Sequence, residues 1–242
     1  MKVLRKIIYR GSLNRKLRRD FDVFKNMISS NRPFHLSWRE HQAMYENDTE
    51  TRFDAHYIYH PSWAARILAV TKPAKHVDFS STLYFCSIVS AFIPVDFYDY
   101  RPANIRLSNL TSKRADLTAL PFLDNSIDSL SCMHVIEHIG LGRYGDPLDP
   151  EGDLKAVMEL KRVAAHGGTI LFVVPIGKPQ IIFNAHRIYS YDMVMSMFDG
   201  FELKDFSMVP DNGEKVGLIP KADPAFADKQ SYGCGCFWFV KP

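Results

Sequence analysis

Cysteine is scarce. The 242 residues hold four, Cys86, Cys132, Cys234 and Cys236. Cys132 lies in an apolar run that reads as a buried strand, and only Gly235 separates Cys234 from Cys236. No disulfide framework is expected, and a reducing, cytoplasmic setting fits. Cys234-Gly-Cys236 has no second ligand pair close in sequence, so it reads as structural. Long apolar runs are missing as well. The opening MKVLRKIIYRGS is apolar too briefly for a signal peptide, and nothing approaches a membrane span. Nor does charge of one sign dominate. Thirty Lys and Arg against 27 Asp and Glu leave +3, too little to argue for nucleic-acid binding, and none is expected. No internal repeat or low-complexity tract appears. What remains is ordinary globular composition, 46% hydrophobic and 24% charged, in a length that suits one domain with an extension.

The positive charge is unevenly placed. Lys2, Arg5, Lys6, Arg10, Arg15, Lys16, Arg18 and Arg19 crowd the N-terminus, among Leu4, Ile7, Ile8, Leu13, Leu17, Phe21 and Phe24. Residues 1–30 therefore read as a basic helix. It is either a solvated helix packed on the domain or a second subunit, or an interfacial helix in peripheral contact with an anionic membrane. Residues 31–54 are polar and read as a linker or irregular cap. The expected division is a basic helical arm and linker over residues 1–53, then a domain over residues 54–242.

Within the domain, strands and helices alternate. Asp54–Val70 reads as a loop and then a helix, with Pro61 in its first turn and Tyr57, Tyr59 and His60 ahead of it, either packed or forming a lid. Strands are expected at His76–Phe79, Val95–Tyr98, near Arg114–Leu117, at Ile127–Val135 and at Thr169–Val174. Helices are expected at Leu83–Phe92, Asp153–Ala165 and Tyr189–Phe198. Gly167 and Gly168 read as a helix stop. Phe201–Met208 and Gly235–Val240 read as closing strands. This order predicts an α/β, doubly wound, mostly parallel sheet.

Such sheets bind ligands at the carboxyl ends of their strands. Asp78, Asp99 and Asp116 fall near the ends of three successive strands. A carboxylate after the second suits a ribose diol, and one after the third can accept from an adenine amino group; otherwise, aspartates simply favour turns and caps. The stretch Leu120–Gly145 supplies the rest. Its buried run ends in His134, Glu137 and His138, and a loop with Gly140, Gly142 and Gly145 follows. Arg143 and Tyr144 in that loop are candidate substrate contacts, or parts of a plain capping loop. Phe183–Arg187 should overhang the same edge. His186 could act as a base near neutral pH and Arg187 could grip an anion; equally, both could be pinned to backbone carbonyls. His134-Val-Ile-Glu137-His138 also spells H-x-x-E-H, a zinc-hydrolase helix pattern. That pattern needs one helix, whereas these histidines straddle a strand end, so no metal centre is expected.

The order D-x-S-S, DYRP, RADLTALPF-x-DNSIDSLSCMHVIEHI and EL-x-RV…GGTILFVVP resembles class I S-adenosylmethionine-dependent methyltransferases. HYIYHPSWAA, HVIEHIGLGRYGDP, FNAHRIYS and YGCGCFWF are similar to an uncharacterised domain-of-unknown-function family with that methyltransferase-like fold, over roughly residues 54–242. The resemblance implies a Rossmann-like methyltransferase sheet, mostly parallel with an antiparallel closing strand. It also implies S-adenosylmethionine as cofactor and a small-molecule or glycan-type acceptor. The glycan option rests on an expectation that such family members accompany surface-polysaccharide genes. On this reading Asp78, Ser80, Ser81, Asp99, Asp116, Leu117 and His134 hold the cofactor, and Glu137 and His186 are catalytic. Arg143, Tyr144, Asn184 and Arg187 meet the substrate. One departure stands out. The family pattern after strand one is Asp-x-Gly-x-Gly-x-Gly; here it is Asp78-Phe-Ser80-Ser81-Thr82-Leu-Tyr84-Phe85. Glycine permits close approach and positive φ, and Tyr84 and Phe85 add bulk. The rival expectation is therefore a non-catalytic relative that binds a partner or ligand without the cofactor.

Overall fold

The computed structural model describes residues 2–29, 32–44 and 49–242, with side chains from residue 13 onward. Residues 1, 30, 31 and 45–48, and the side chains of Lys2, Arg5, Lys6 and Arg10, belong to the expected arm and linker and lie outside this description. The chain divides into two compact units, Met1–Arg52 and Phe53–Pro242.

In the first unit, helix α1 spans Lys2–Met27. Arg18 pairs with Asp22 one turn on at 3.3 Å, and Arg19 lies 3.9 Å from Asp20. The segment expected as linker contains an anchored tryptophan. Trp38 packs edge-on to Phe21 at 5.3 Å, stacks on His41 and carries the Arg18 guanidinium 4.7 Å over its ring. Among the described residues no helix is long and apolar enough to cross a membrane.

In the second unit the chain runs through helix α2 (Ala55–Thr71), strand β1 (His76–Phe79), α3 (Leu83–Val89), β2 (Val95–Asp99), β3 (Leu110–Arg114) and β4 (Ile127–Met133). It continues through α4 (Gly152–Val163), β5 (Ala164–Ile176), β6 (Gln180–Ile182), β7 (His186–Ile188), α5 (Tyr191–Met197), β8 (Glu202–Val209), α6 (Gly213–Val216), α7 (Pro224–Ala227) and β9 (Gly233–Val240). Seven strands form one sheet in the order β3-β2-β1-β4-β5-β9-β8, and β6 and β7 form a separate ribbon. Strands β1 to β5 pair in parallel, and β9 is antiparallel to both β5 and β8. This is the expected doubly wound, Rossmann-like methyltransferase sheet.

The strand period of two sorts side chains onto two cores. Ile170, Phe172 and Val174 of β5 join Leu130, Cys132, Leu160 and Phe237 on one face. Leu171 and Val173 join Trp63, Leu68, Phe85, Cys234 and Cys236 on the other. Each large apolar side chain removed from water contributes about 1.5–3 kcal/mol, so both faces must be covered, and α2 and α3 cover the second.

Several expectations shift. Asp54 caps α2, accepting from the Tyr57 N–H at 3.3 Å, so Tyr57, Tyr59 and His60 lie within the helix and Pro61 in its interior. The third strand is Leu110–Arg114 rather than Arg114–Leu117, which leaves Asp116 in the loop after it. It borders the sheet and buries only Leu110, so its pattern is weak. Gly167 and Gly168 do not end a helix. They sit inside β5, where Ala164 pairs with Ile127 and Thr169 with Ser129, and Gly167 has φ +74°. The β6–β7 ribbon was not anticipated.

Candidate active-site crevice

The carboxyl ends of β1, β2 and β4 open onto a crevice in two joined chambers. The first encloses about 270 Å³ and is lined by Asp99, Tyr100, Arg101, Asp116, Leu117 and, from the following glycine loop, Ile139, Gly140, Asp146 and Asp149. The second, also about 270 Å³, is lined by Tyr57, Ser81, Thr82, Glu137, Arg143, His186 and Tyr232. Ser80, His134, His138 and Tyr144 border both.

The first turn explains how a glycine-free sequence leaves this space open. Ser80 takes φ +58°, the left-handed conformation glycine would adopt without penalty. Its N–H donates to the Tyr98 carbonyl at 2.8 Å and its hydroxyl to the same oxygen at 3.2 Å. Thr82 then caps α3 by accepting from the Phe85 N–H. The helix turns the two bulky residues away. Tyr84 is 84% exposed, Phe85 is buried in the core, and neither lines the crevice.

Asp78 supports this turn from beneath. It is fully buried, accepts from the Ser81 N–H at 3.0 Å and from the Ser131 hydroxyl, and is absent from the lining. Burial raises its carboxyl to about 6. Its assignment to the cofactor is therefore corrected to support of the turn.

Asp99 spends Oδ1 on the Arg101 N–H at 2.6 Å, and Asp116 spends Oδ1 on the N–H and hydroxyl of Thr118. Each carboxylate keeps a second oxygen. On the far wall, Asp146 ties the glycine loop by accepting from the N–H groups of Gly140 at 2.8 Å and Tyr144 at 3.1 Å. Two guanidinium groups approach the Tyr144 ring, Arg101 at 4.6 Å and Arg143 at 5.2 Å.

The second chamber is densely aromatic and ionisable. Glu137 is 1% exposed; its Oε1 meets His134 Nδ1 at 2.9 Å, and its Oε2 has no partner. The Nε2 atoms of His134 and His186 are also buried without partners. Burial holds His186 below the usual histidine range although the Glu137 charge pulls it up. Burial, then the Glu137 charge, pushes the Tyr232 phenol up to about 12. Burial lowers His56 to about 4.

Two expected substrate contacts lie elsewhere. Arg187 is 4% exposed, with its donors on the carbonyls of Ile139 at 2.7 Å and Pro150 at 3.2 Å and its Nε 3.5 Å from Asp153. It fastens the glycine loop to β7 and lines neither chamber. Asn184 sits at the tip between β6 and β7, outside the lining of either chamber. Ser80, Ser81, Asp99, Asp116, Leu117, His134, Glu137, Arg143, Tyr144 and His186 all face the crevice.

Tyr57, expected either to pack or to form a lid, lines the second chamber, and Thr82 and Tyr232 join it without having been singled out as site residues. They arrive from an entry helix, a cap and the far end of the chain, so no local motif joins them. Also missed was a grouping of His56, His134 and Cys234, whose ligand atoms lie within 4.8 Å of one another.

Residues 103–216 match the model of a family described as a Caenorhabditis protein of unknown function, DUF268. That span holds most of the crevice, and it agrees with the expected uncharacterised family of methyltransferase-like fold. No curated protein matches the sequence. Solved structures match over about three quarters of the chain. YcgJ from Bacillus subtilis is 14% identical with a TM-score of 0.50, covering 74% of this chain and 98% of that one. A candidate methyltransferase from Bacillus halodurans C-125 is 14% identical with a TM-score of 0.50, covering 75% and 99%. An S-adenosylmethionine-dependent methyltransferase from Thermotoga maritima is 13% identical with a TM-score of 0.50, covering 78% and 92%. At such identities the likeness is one of fold, and function has to be argued from the site.

Proposed function

We propose that the Phe53–Pro242 unit transfers a methyl group from S-adenosylmethionine to a small-molecule or glycan-type acceptor. The observation that carries this reading is the paired crevice, with free carboxylate oxygens in one chamber and unpartnered acid–base groups in the other. The residues present suit the cofactor. Asp99 would accept from the ribose hydroxyls. Asp116 would accept from the adenine amino group, with Leu117 as an apolar wall. Ser80 and Ser81 flank the path of the methionine portion toward His134. Bound there, S-adenosylmethionine supplies an electrophilic methyl group.

The chain's own task is alignment, exclusion of water and removal of one proton. Burial disfavours the charged form of His186, which favours the neutral imidazole whose Nε2 would accept the acceptor's proton. Glu137 is placed to stabilise the resulting imidazolium and holds His134 by Nδ1. Arg143 and Tyr144 wall the acceptor side.

Calorimetric titration with S-adenosylmethionine and S-adenosylhomocysteine tests this. Binding is expected, and Asp99→Ala should weaken it about 10- to 100-fold, the loss of charge-assisted hydrogen bonds worth ~1.5–3 kcal/mol. His186→Ala should leave cofactor affinity nearly intact. No heat from a sample shown folded by circular dichroism would overturn the reading and leave a scaffold that binds something else.

A further inference from the structure

His56 of α2, His134 just beyond β4 and Cys234 of β9 form a cluster that methyl transfer does not require. We infer that these three side chains bind a divalent transition-metal ion of the zinc class, leaving a fourth coordination position for an exogenous ligand. The site shares His134 with the crevice, so it is tested through His56 and Cys234, which line neither chamber.

Four observations converge. The ligand atoms lie within 4.8 Å of one another, a spread that a single ion at about 2.0–2.3 Å from each can draw together. Two imidazoles and a thiolate are the donors such ions prefer, and three protein ligands with one open position is the pattern of reactive rather than purely structural zinc. His134 is already oriented: its Nδ1 is held by Glu137 at 2.9 Å, which leaves Nε2 buried and without a partner. A carboxylate behind a ligating histidine fixes its tautomer and raises its basicity. His134 also holds φ +57°, a conformation costing about 1–2 kcal/mol for a residue with a Cβ, and it presents a 3%-exposed side chain to this spot. A core histidine packed for shape alone gains nothing from either feature. Cys234 is fully buried, and the Cys236 sulfur is a weak partner at 3.9 Å.

The full chain, stripped of metal by chelator and dialysed, should take up one equivalent of cobalt(II). A thiolate-to-cobalt charge-transfer band in the near ultraviolet and visible bands of tetrahedral intensity are expected, both removed by zinc. Cys234→Ser should abolish the charge-transfer band. His56→Ala should weaken zinc binding by at least the 10- to 100-fold that loss of an outer-sphere partner costs. Cys132→Ser, on the opposite face of the sheet, should change neither. A folded chain that stays colourless with cobalt and retains no zinc would overturn the proposal, as would a charge-transfer band that survives Cys234→Ser. Cofactor binding is read separately by calorimetry, and neither His56 nor Cys234 lines the nucleoside chamber, so failure of one reading is distinguishable from failure of the other.

Discussion

Replacing Arg187 by methionine tests whether the guanidinium is an anchor or an anion clamp. Methionine keeps much of the side-chain volume and removes every donor. Three acceptors then lose their partner: the Ile139 carbonyl at 2.7 Å, the Pro150 carbonyl at 3.2 Å and Asp153 at 3.5 Å. Asp153 is the costly one. Its side chain is 7% exposed, and among the described residues only the Tyr189 hydroxyl at 2.9 Å remains to satisfy it. Removing one member of a buried pair typically costs about 3–5 kcal/mol. For a unit of this size 1 kcal/mol moves the midpoint by roughly 2–4 °C, so Tm should fall by about 6–20 °C. Arg187→Met with Asp153→Asn should regain part of that loss, because the orphaned charge is gone. Urea and thermal unfolding followed by circular dichroism measure both. A fall in Tm smaller than about 2 °C for the single variant would refute the anchor and return Arg187 to the list of ligand contacts.

Gly140→Ala should unseat the glycine loop. A Cβ there would lie 2.0 Å from the Asp149 carbonyl oxygen, with the backbone at φ +77°. Lower Tm and weaker cofactor binding are expected, and an unchanged thermal melt would contradict the close approach. Acid should destabilise the fold through His76, which is buried between Ser129 and Ser131, each at 2.8 Å, and is pushed down to about 3 by burial. Its unfolded form takes a proton near pH 6.5. The stabilising effect is therefore complete above that pH and is lost as pH falls from 6.5 toward 3. Asp78, raised to about 6, acts in the opposite sense between about 6 and 4. Stability measured against pH should decline less steeply in His76→Gln than in the parent chain; an equal slope would assign the loss elsewhere.

The sheet was legible where strands are buried on both faces. His76–Phe79, Val95–Asp99 and Ile127–Met133 carry burial along nearly their whole length. The bordering strand Leu110–Arg114 misled because four of its five residues meet solvent. The β6–β7 ribbon was invisible because Gln180, Ile181 and Ile182 are all exposed, so no face is marked by hydrophobicity. Within the crevice, Asp99, Asp116, His134 and Glu137 could be found because each lies near the carboxyl end of a strand. Arg187 shows the limit of residue type as a guide. Five donors suit a substrate anion and a backbone carbonyl alike, and carbonyls leave no trace in a sequence. Tyr232 and Cys234 meet Tyr57 and His56 across most of the domain, a juxtaposition made by topology alone.

The placement of β9 between β5 and β8 constrains the order of assembly. A nascent chain emerging N-terminus first exposes the edge of β5 through the synthesis of everything that follows it, and β8 has no strand to pair with until β9 arrives. An open edge of apolar, β-rich sequence is an invitation to other chains. The long β5 is therefore the segment at which a ribosome-bound intermediate of this protein would capture a chaperone or aggregate, and the insertion of one late strand removes that hazard while delivering Tyr232 to the crevice and Cys234 to the buried histidines beside it.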